Sequence, residues 1–166
     1  MPARQSTDET ASLRNSHTEM SEILMPNDTN NLGRALGGSV LSWMDICGAI
    51  AARRFCNRQV VTASMDHVDF IAPIDLGDVV TVSAYVFDTG RTSMDVMVDV
   101  RAERPDDGER WDAATSFFTF VALDAEENPA AVPSLQCESP AQEELRDDAV
   151  EKRRTRRRRL AAAVDE

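Results

Sequence analysis

One carboxylate interrupts an apolar helical run over residues 39–55. Asp45 is flanked by Met44, Ile46 and Cys47. Apolar residues surround the run instead of striping one face, which marks a buried helix. A carboxylate in such a place is costly to desolvate without a partner, and acids so placed are often functional. Asp45 is therefore either a reactive acid or an acid favoured by the helix dipole and bonded to a neighbour. Gly37 and Gly38 open the same helix. Free backbone N–H groups at a helix start suit an anion or a polarised carbonyl oxygen. The other reading of this pair is tight packing of helix on sheet. Gly37 and Asp45 stand eight residues apart, about 12 Å along a helix. If both act on one reacting carbonyl, they come from two chains that meet at a dimer interface.

Other chemistries lack their residues. Ser39 and Ser42 have no G-x-S-x-G elbow around them. No G-x-G-x-x-G or P-loop pattern occurs. His17 and His67 form no two-histidine metal motif, so neither a metal nor an organic cofactor is expected. His67 reads as a structural or interface residue of a strand, and Cys47 as core packing.

The elements that must position these residues follow from periodicity. Residues 19–25 read as a short strand ended by Pro26, followed by the turn-forming cluster Asn27-Asp28-Thr29-Asn30-Asn31. After the helix the period changes to two. Strands are expected over 60–71, 79–88, 94–103 and 111–123, with tight turns at Thr89-Gly90-Arg91 and Pro105-Asp106-Asp107-Gly108. Short connections favour antiparallel neighbours. The expected fold class is α+β, an antiparallel five-stranded sheet wrapped around one long central helix. One sheet cannot cover a helix that is apolar all round, so a second subunit is expected to complete the cover.

The 166 residues suit one domain. Residues 1–17 read as a flexible polar leader with no secretory signal, residues 18–133 as the folded domain, and residues 134–166 as a charged tail. The tail reads as a peripheral helix over 139–160, with Ser139 as N-cap and Pro140 in the first turn. Six arginines surround Thr155 in it. They read as a solvated helix end or as a contact for phosphate or an acidic partner. No run is long and apolar enough to span a membrane. Residues 1–133 hold 21 acids against 10 arginines, an acidic body that repels nucleic acid. Only Lys152 among 18 basic residues is lysine. Acid excess with arginine in place of lysine reads as halophilic, suited to a high-salt cytoplasm. Three cysteines without ligand spacing read as reduced thiols of a cytoplasmic protein.

Taken together, Pro26 to Gly33, Gly37-Gly38, Met44-Asp45, the run Val60 to Asp66, Gly77-Asp78-Val79-Val80, Thr92-Ser93-Met94 and the last strand form a pattern. It resembles the hotdog-fold acyl-CoA thioesterases, nearest the bacterial broad-range and vertebrate cytosolic (brain-type) acyl-CoA hydrolases, over residues 18–133. The sequence departs at Arg34-Ala35-Leu36, where such proteins often carry a bulkier aromatic or histidine. The resemblance implies hydrolysis of acyl-CoA to acid and CoA by a homodimer or a trimer of dimers (a hexamer). It implies Asp45 as the catalytic acid, Asn30 as the catalytic asparagine, Gly37 and Gly38 at the oxyanion-binding helix start, and Thr62 as the active-site threonine. Arg91 and Ser93 are expected near the CoA phosphates. A hotdog dehydratase or hydratase would require a histidine that the helix lacks. A non-catalytic acyl-CoA-binding regulator would have no need of the Asn30 and Asp45 pair.

Overall fold

A computed structural model describes residues 9–165. In chain order these form β1 (Thr10–Ser12), α1 (Leu13–Ser16), β2 (Thr18–Ile23), α2 (Gly37–Cys56), β3 (Gln59–Met65), β4 (Asp69–Phe70), β5 (Val79–Thr89), β6 (Ser93–Glu103), β7 (Arg110–Leu123), β8 (Ser134–Gln136) and α3 (Pro140–Val164). Five strands lie in the order β2-β5-β6-β7-β3, antiparallel throughout, with β4 beside β7. The alternating side chains of β5, β6 and β7 put Val82, Val98 and Phe118 under α2, whose Met44, Cys47 and Ala51 are fully buried. This is the α+β arrangement expected from the periodicity.

Close approach of helix to sheet is set at Gly48. A side chain there would begin 3.0 Å from the Phe120 ring. Gly48→Ala is expected to destabilise the protein by about 1–3 kcal/mol through overpacking, measured as a fall in the denaturant midpoint. The Cys47 thiol is core, as expected. Burial pushes it up to about 11, which leaves it protonated and unreactive.

Four expectations need correction. First, Asp45 is not enclosed among apolar neighbours: its own chain leaves one side of α2 open, as expected of a single sheet, and Asp45 lies on that side. Ser42 and Ile46 are exposed and Asp45 is half-buried, along one stripe of the helix. Asp45 thus has a surface face in the single chain. Second, the run 60–71 is not one strand. The register slips between Thr62 and Ser64, β3 ends at Met65, and β4 resumes pairing at Asp69. Third, residues 9–17 are not a loose leader. β1 pairs in parallel with β8, and α1 buries Leu13 and Ser16. Ser16 Oγ accepts from Val86 N–H. The expectation for residues 1–8 lies outside the described residues.

The fourth correction concerns the tail. Ser139 caps α3 by accepting from Gln142 N–H, as its sequence predicts, but the helix is not peripheral. It lies on the outer face of the sheet, where Ala149 joins Leu13, Tyr85, Phe87, Met97 and Phe117 in a second buried cluster. Arg153 is only 8% exposed. Its guanidinium pairs with Asp66 at 3.1 Å and Asp95 at 3.0 Å and lies over the Phe87 and Phe117 rings. The arginine run is therefore largely a contact within the chain.

Candidate active site

Two groups of predicted site residues stand at different places on the chain. The first gathers at the start of α2. The Asn-rich cluster folds into a 3-10 turn, Pro26–Asp28, and a loop closed by Gly33 with φ +70°. Within it Asn30 Oδ1 accepts the Leu32 N–H at 2.9 Å and the Arg34 N–H at 3.2 Å. Both partners are donors, so the oxygen is fixed inward and the Nδ2 amide is the end left to donate outward. Asn30, Gly37, Phe70, Ile71 and Ile74 line a cavity of about 410 Å³. Gly37 N–H and Gly38 N–H are the first two of α2, which by helix geometry have no partner in their own helix. A side chain on Gly38 would meet nothing within 4 Å, and one on Gly37 only the Phe70 ring at 3.4 Å. Tight packing on the sheet is therefore not what calls for glycine at these two positions, in contrast to Gly48.

The second group lies two turns along α2. Thr62 Oγ1 donates to Asp45 Oδ1 at 2.7 Å. β3 is the outer strand of the sheet, so this pair faces the open stripe of the helix. Ile46 and Val61 beside it are each 46% exposed, and Met65 is 41% exposed. An apolar strip thus borders the carboxylate.

Arg91 and Ser93 join neither group. Arg91 is exposed in the β5–β6 turn, where its carbonyl accepts from Val132 N–H. Ser93 is in register with Val121, which also pairs with Val61. Reading the sequence alone missed Phe70, Ile71 and Ile74 as cavity wall. The signal was there in the apolar pair Phe70-Ile71, which follows the stretch Asp66-His67-Val68-Asp69 and precedes Ala72-Pro73. Among the described residues no group of three His, Cys, Asp or Glu is placed to hold a metal ion, and no helix is long and apolar enough to cross a membrane.

Comparison with known proteins bears on this arrangement. The uncharacterized acyl-CoA thioester hydrolase YkhA of Bacillus subtilis is 41% identical over 153 residues, 92% of this chain and 89% of that protein. The thioesterase superfamily model matches residues 32–109. The chain belongs to the thioesterase superfamily, in its acyl-CoA thioester hydrolase branch. Among solved structures, an apo-hexameric acyl-CoA thioesterase superposes with TM-score 0.82 at 35% identity, over 92% of this chain and 98% of that one. The acyl-CoA hydrolase of Staphylococcus aureus, solved with butyryl coenzyme A and coenzyme A, gives TM-score 0.79 at 34% identity, over 94% of this chain and 97% of that one.

Three variants of the same Staphylococcus aureus hydrolase have also been solved, at 33–34% identity and TM-scores of 0.77–0.80, each over at least 94% of both chains. They carry alanine for an asparagine, for an aspartate fifteen residues later, and for a threonine a further seventeen on. Asn30, Asp45 and Thr62 of this thioesterase have the same types and the same spacing.

Proposed function

We propose that this thioesterase hydrolyses acyl-CoA to the free carboxylic acid and CoA at a site shared by two subunits. One observation carries the reading. Asn30 and Gly37 share a cavity that Asp45 does not line, while Asp45 is held by Thr62 on the open stripe of α2. On one helix, Gly37 and Asp45 are separated by about 12 Å. A second copy set against the exposed strip would bring its own Asp45 towards the first copy's Asn30.

The chemistry then divides between chains. The thioester oxygen accepts from Asn30 Nδ2 and from the Gly37 or Gly38 N–H, which favours the oxyanion formed on attack. Asp45 of the other chain accepts a proton from water as that water attacks the carbonyl carbon, or attacks the carbon itself. In the first route the C–S bond breaks and CoA leaves as the thiolate, which takes up that proton. In the second the thiolate leaves first, and water then hydrolyses the acyl–Asp45 anhydride, freeing the acid and Asp45 and supplying the proton to the thiolate. Thr62 donates to one carboxylate oxygen of Asp45 and so leaves the other for the reaction. Arg91 and Ser93, apart from both groups, contact the CoA moiety in this reading. Ile46, Val61 and the unpaired edge of β3 support pairing of copies into a dimer, and the hexameric neighbour supports a trimer of such dimers.

A mixing experiment tests the shared site. Asn30→Ala and Asp45→Ala proteins are each expected to be nearly inactive. Once subunits exchange, thiol release from acyl-CoA should return to about a quarter of the unsubstituted rate. Half of randomly paired dimers are mixed, and one of their two sites regains both residues. Verified exchange with no return of activity would show that each site belongs to one chain.

A further inference from the structure

The arginine run of α3 grips one turn of the chain. Arg153 Nε and Arg157 Nε hold Asp66 Oδ2 at 3.1 and 3.3 Å. Arg156 holds Asp69 Oδ2 at 3.0 Å and donates to the carbonyl oxygens of His67 and Thr115, both at 3.3 Å. From the sheet side, Asp66 N–H donates to the Phe117 carbonyl at 2.9 Å. Ser116 Oγ lies 3.1 and 3.2 Å from the Asp66 and His67 carbonyl oxygens. Positions 153, 156 and 157 share one helix face by their spacing. A single rigid helix thus fixes both ends of the turn 66–69.

That turn joins the two groups of site residues. Before it runs β3, with Thr62 on Asp45. After it comes Phe70, whose ring faces Gly37 and walls the cavity at Asn30. The backbone of Phe70 pairs with Ala114 of β7, and Ile71 N–H donates to the Ala113 carbonyl at 2.8 Å, but Phe70 has little anchorage for its ring. Its side chain is 57% exposed, and β4 is only two residues long. The Asp69 carboxylate, one residue before Phe70, is the nearest side chain that is held, by Arg156 at 3.0 Å with His67 Nε2 at 3.1 Å.

We propose that α3 sets the acyl preference of the site, by placing Phe70 through the hold of Arg156 and Arg153 on the turn 66–69. The proposal rests on the hydrolase reading above. Phe70 is the side chain that meets the acyl group, and the two arginines are positioning residues. A displaced ring changes the room for a long acyl chain more than for a short one, since pocket fit discriminates chains by their added methylenes.

Arg153 is nearly buried, so its removal would unsettle the whole of α3. Arg156, at the helix margin, gives the cleaner test. The quantity to measure is the ratio of kcat/KM for palmitoyl-CoA to that for butyryl-CoA. Arg156→Gln is expected to change this ratio about three- to tenfold, less than the ~100-fold cost of misplacing a reacting group by 1 Å. Arg156→Lys should restore part of it, because lysine keeps the charge beside Asp69 but cannot reach both carbonyl oxygens in a fork. Phe70→Ala should change the ratio at least as much, and adding Arg156→Gln to it should change nothing further. An unchanged ratio in Arg156→Gln would overturn the proposal, and so would a full Arg156→Gln effect in the Phe70→Ala background. Either result would leave the hydrolase reading intact. If the unsubstituted protein hydrolyses neither substrate, the hydrolase reading fails and the proposal fails with it.

Discussion

Asp45→Asn is expected to leave a folded, assembled protein and to lower kcat by at least about 100-fold, the usual scale for loss of a general base. Asparagine keeps the oxygen that accepts from Thr62 Oγ1, so the helix and β3 lose no hydrogen bond. What disappears is the negative oxygen that takes a proton or attacks carbon. Thiol release from an acyl-CoA, followed beside the thermal midpoint, checks both halves of this. Turnover within a few-fold of normal would remove Asp45 from the chemistry. The variant is informative because the residue is half-buried on an open stripe and not sealed in the core. A sealed carboxylate would have mixed a stability effect into the kinetics.

The second large effect is on the fold. A chain ending at residue 138 loses α3 and uncovers Tyr85, Phe87, Met97 and Phe117, all at most 8% exposed. Burial of each such side chain is worth roughly 1.5–3 kcal/mol, and the whole stability of a domain is only about 5–15 kcal/mol. The shortened chain is expected to be largely unfolded or aggregated, which solubility and far-ultraviolet circular dichroism would report. A soluble product with the native midpoint would contradict the integral role of α3. Arg153→Ala is a milder form of the same test. It leaves Asp95 without its cation and Asp66 with Arg157 alone in a partly buried site, and should cost about 3 kcal/mol, at the low end for a broken buried pair.

Acid should narrow that difference. Burial pushes the Asp66 carboxyl up, but hydrogen bonds and charge from Arg153 and Arg157 outweigh this and hold it below the usual carboxylate range. A folded-state pKa below the unfolded one means that the stabilisation is fully present above about pH 4. It is lost as pH falls through the folded value. The gap in stability between the unsubstituted protein and Arg153→Ala should therefore shrink below about pH 4. A gap that stays constant down to pH 2 would show that the Asp66 pair contributes nothing.

The features legible in the sequence were local ones. Period two in β5, β6 and β7 and the apolar run of α2 reflect which side chains face one core. Asp45 and the Gly37-Gly38 pair stood out by residue type and place, whereas Asn30 and Thr62 were candidates through the resemblance alone. What stayed hidden depends on partners far along the chain. Arg153 meets Asp66 across 87 positions, so six arginines around Thr155 looked like a solvated helix end. β1 has three residues and pairs with a strand more than 120 positions away, too short for any period to register. The slip at Thr62 and Ser64 broke a run whose composition reads as continuous strand. Asp45 looked sealed because helical periodicity shows that a residue lies among apolar neighbours, but not which chain supplies the cover.

The free side of β3 carries a further consequence. Its residues Gln59 to Met65 include Val60, Val61 and Met65 but no proline and no charge, so apart from the slip at Thr62 and Ser64 it has few guards against adding another strand. On the shared-site proposal, a lone protomer would be sticky as well as inactive. Folding of this thioesterase should then finish with a second-order step, and its resistance to heat and dilution should depend on how much of it is present. At low abundance, encounter between protomers would limit the yield of active enzyme before any step of catalysis does.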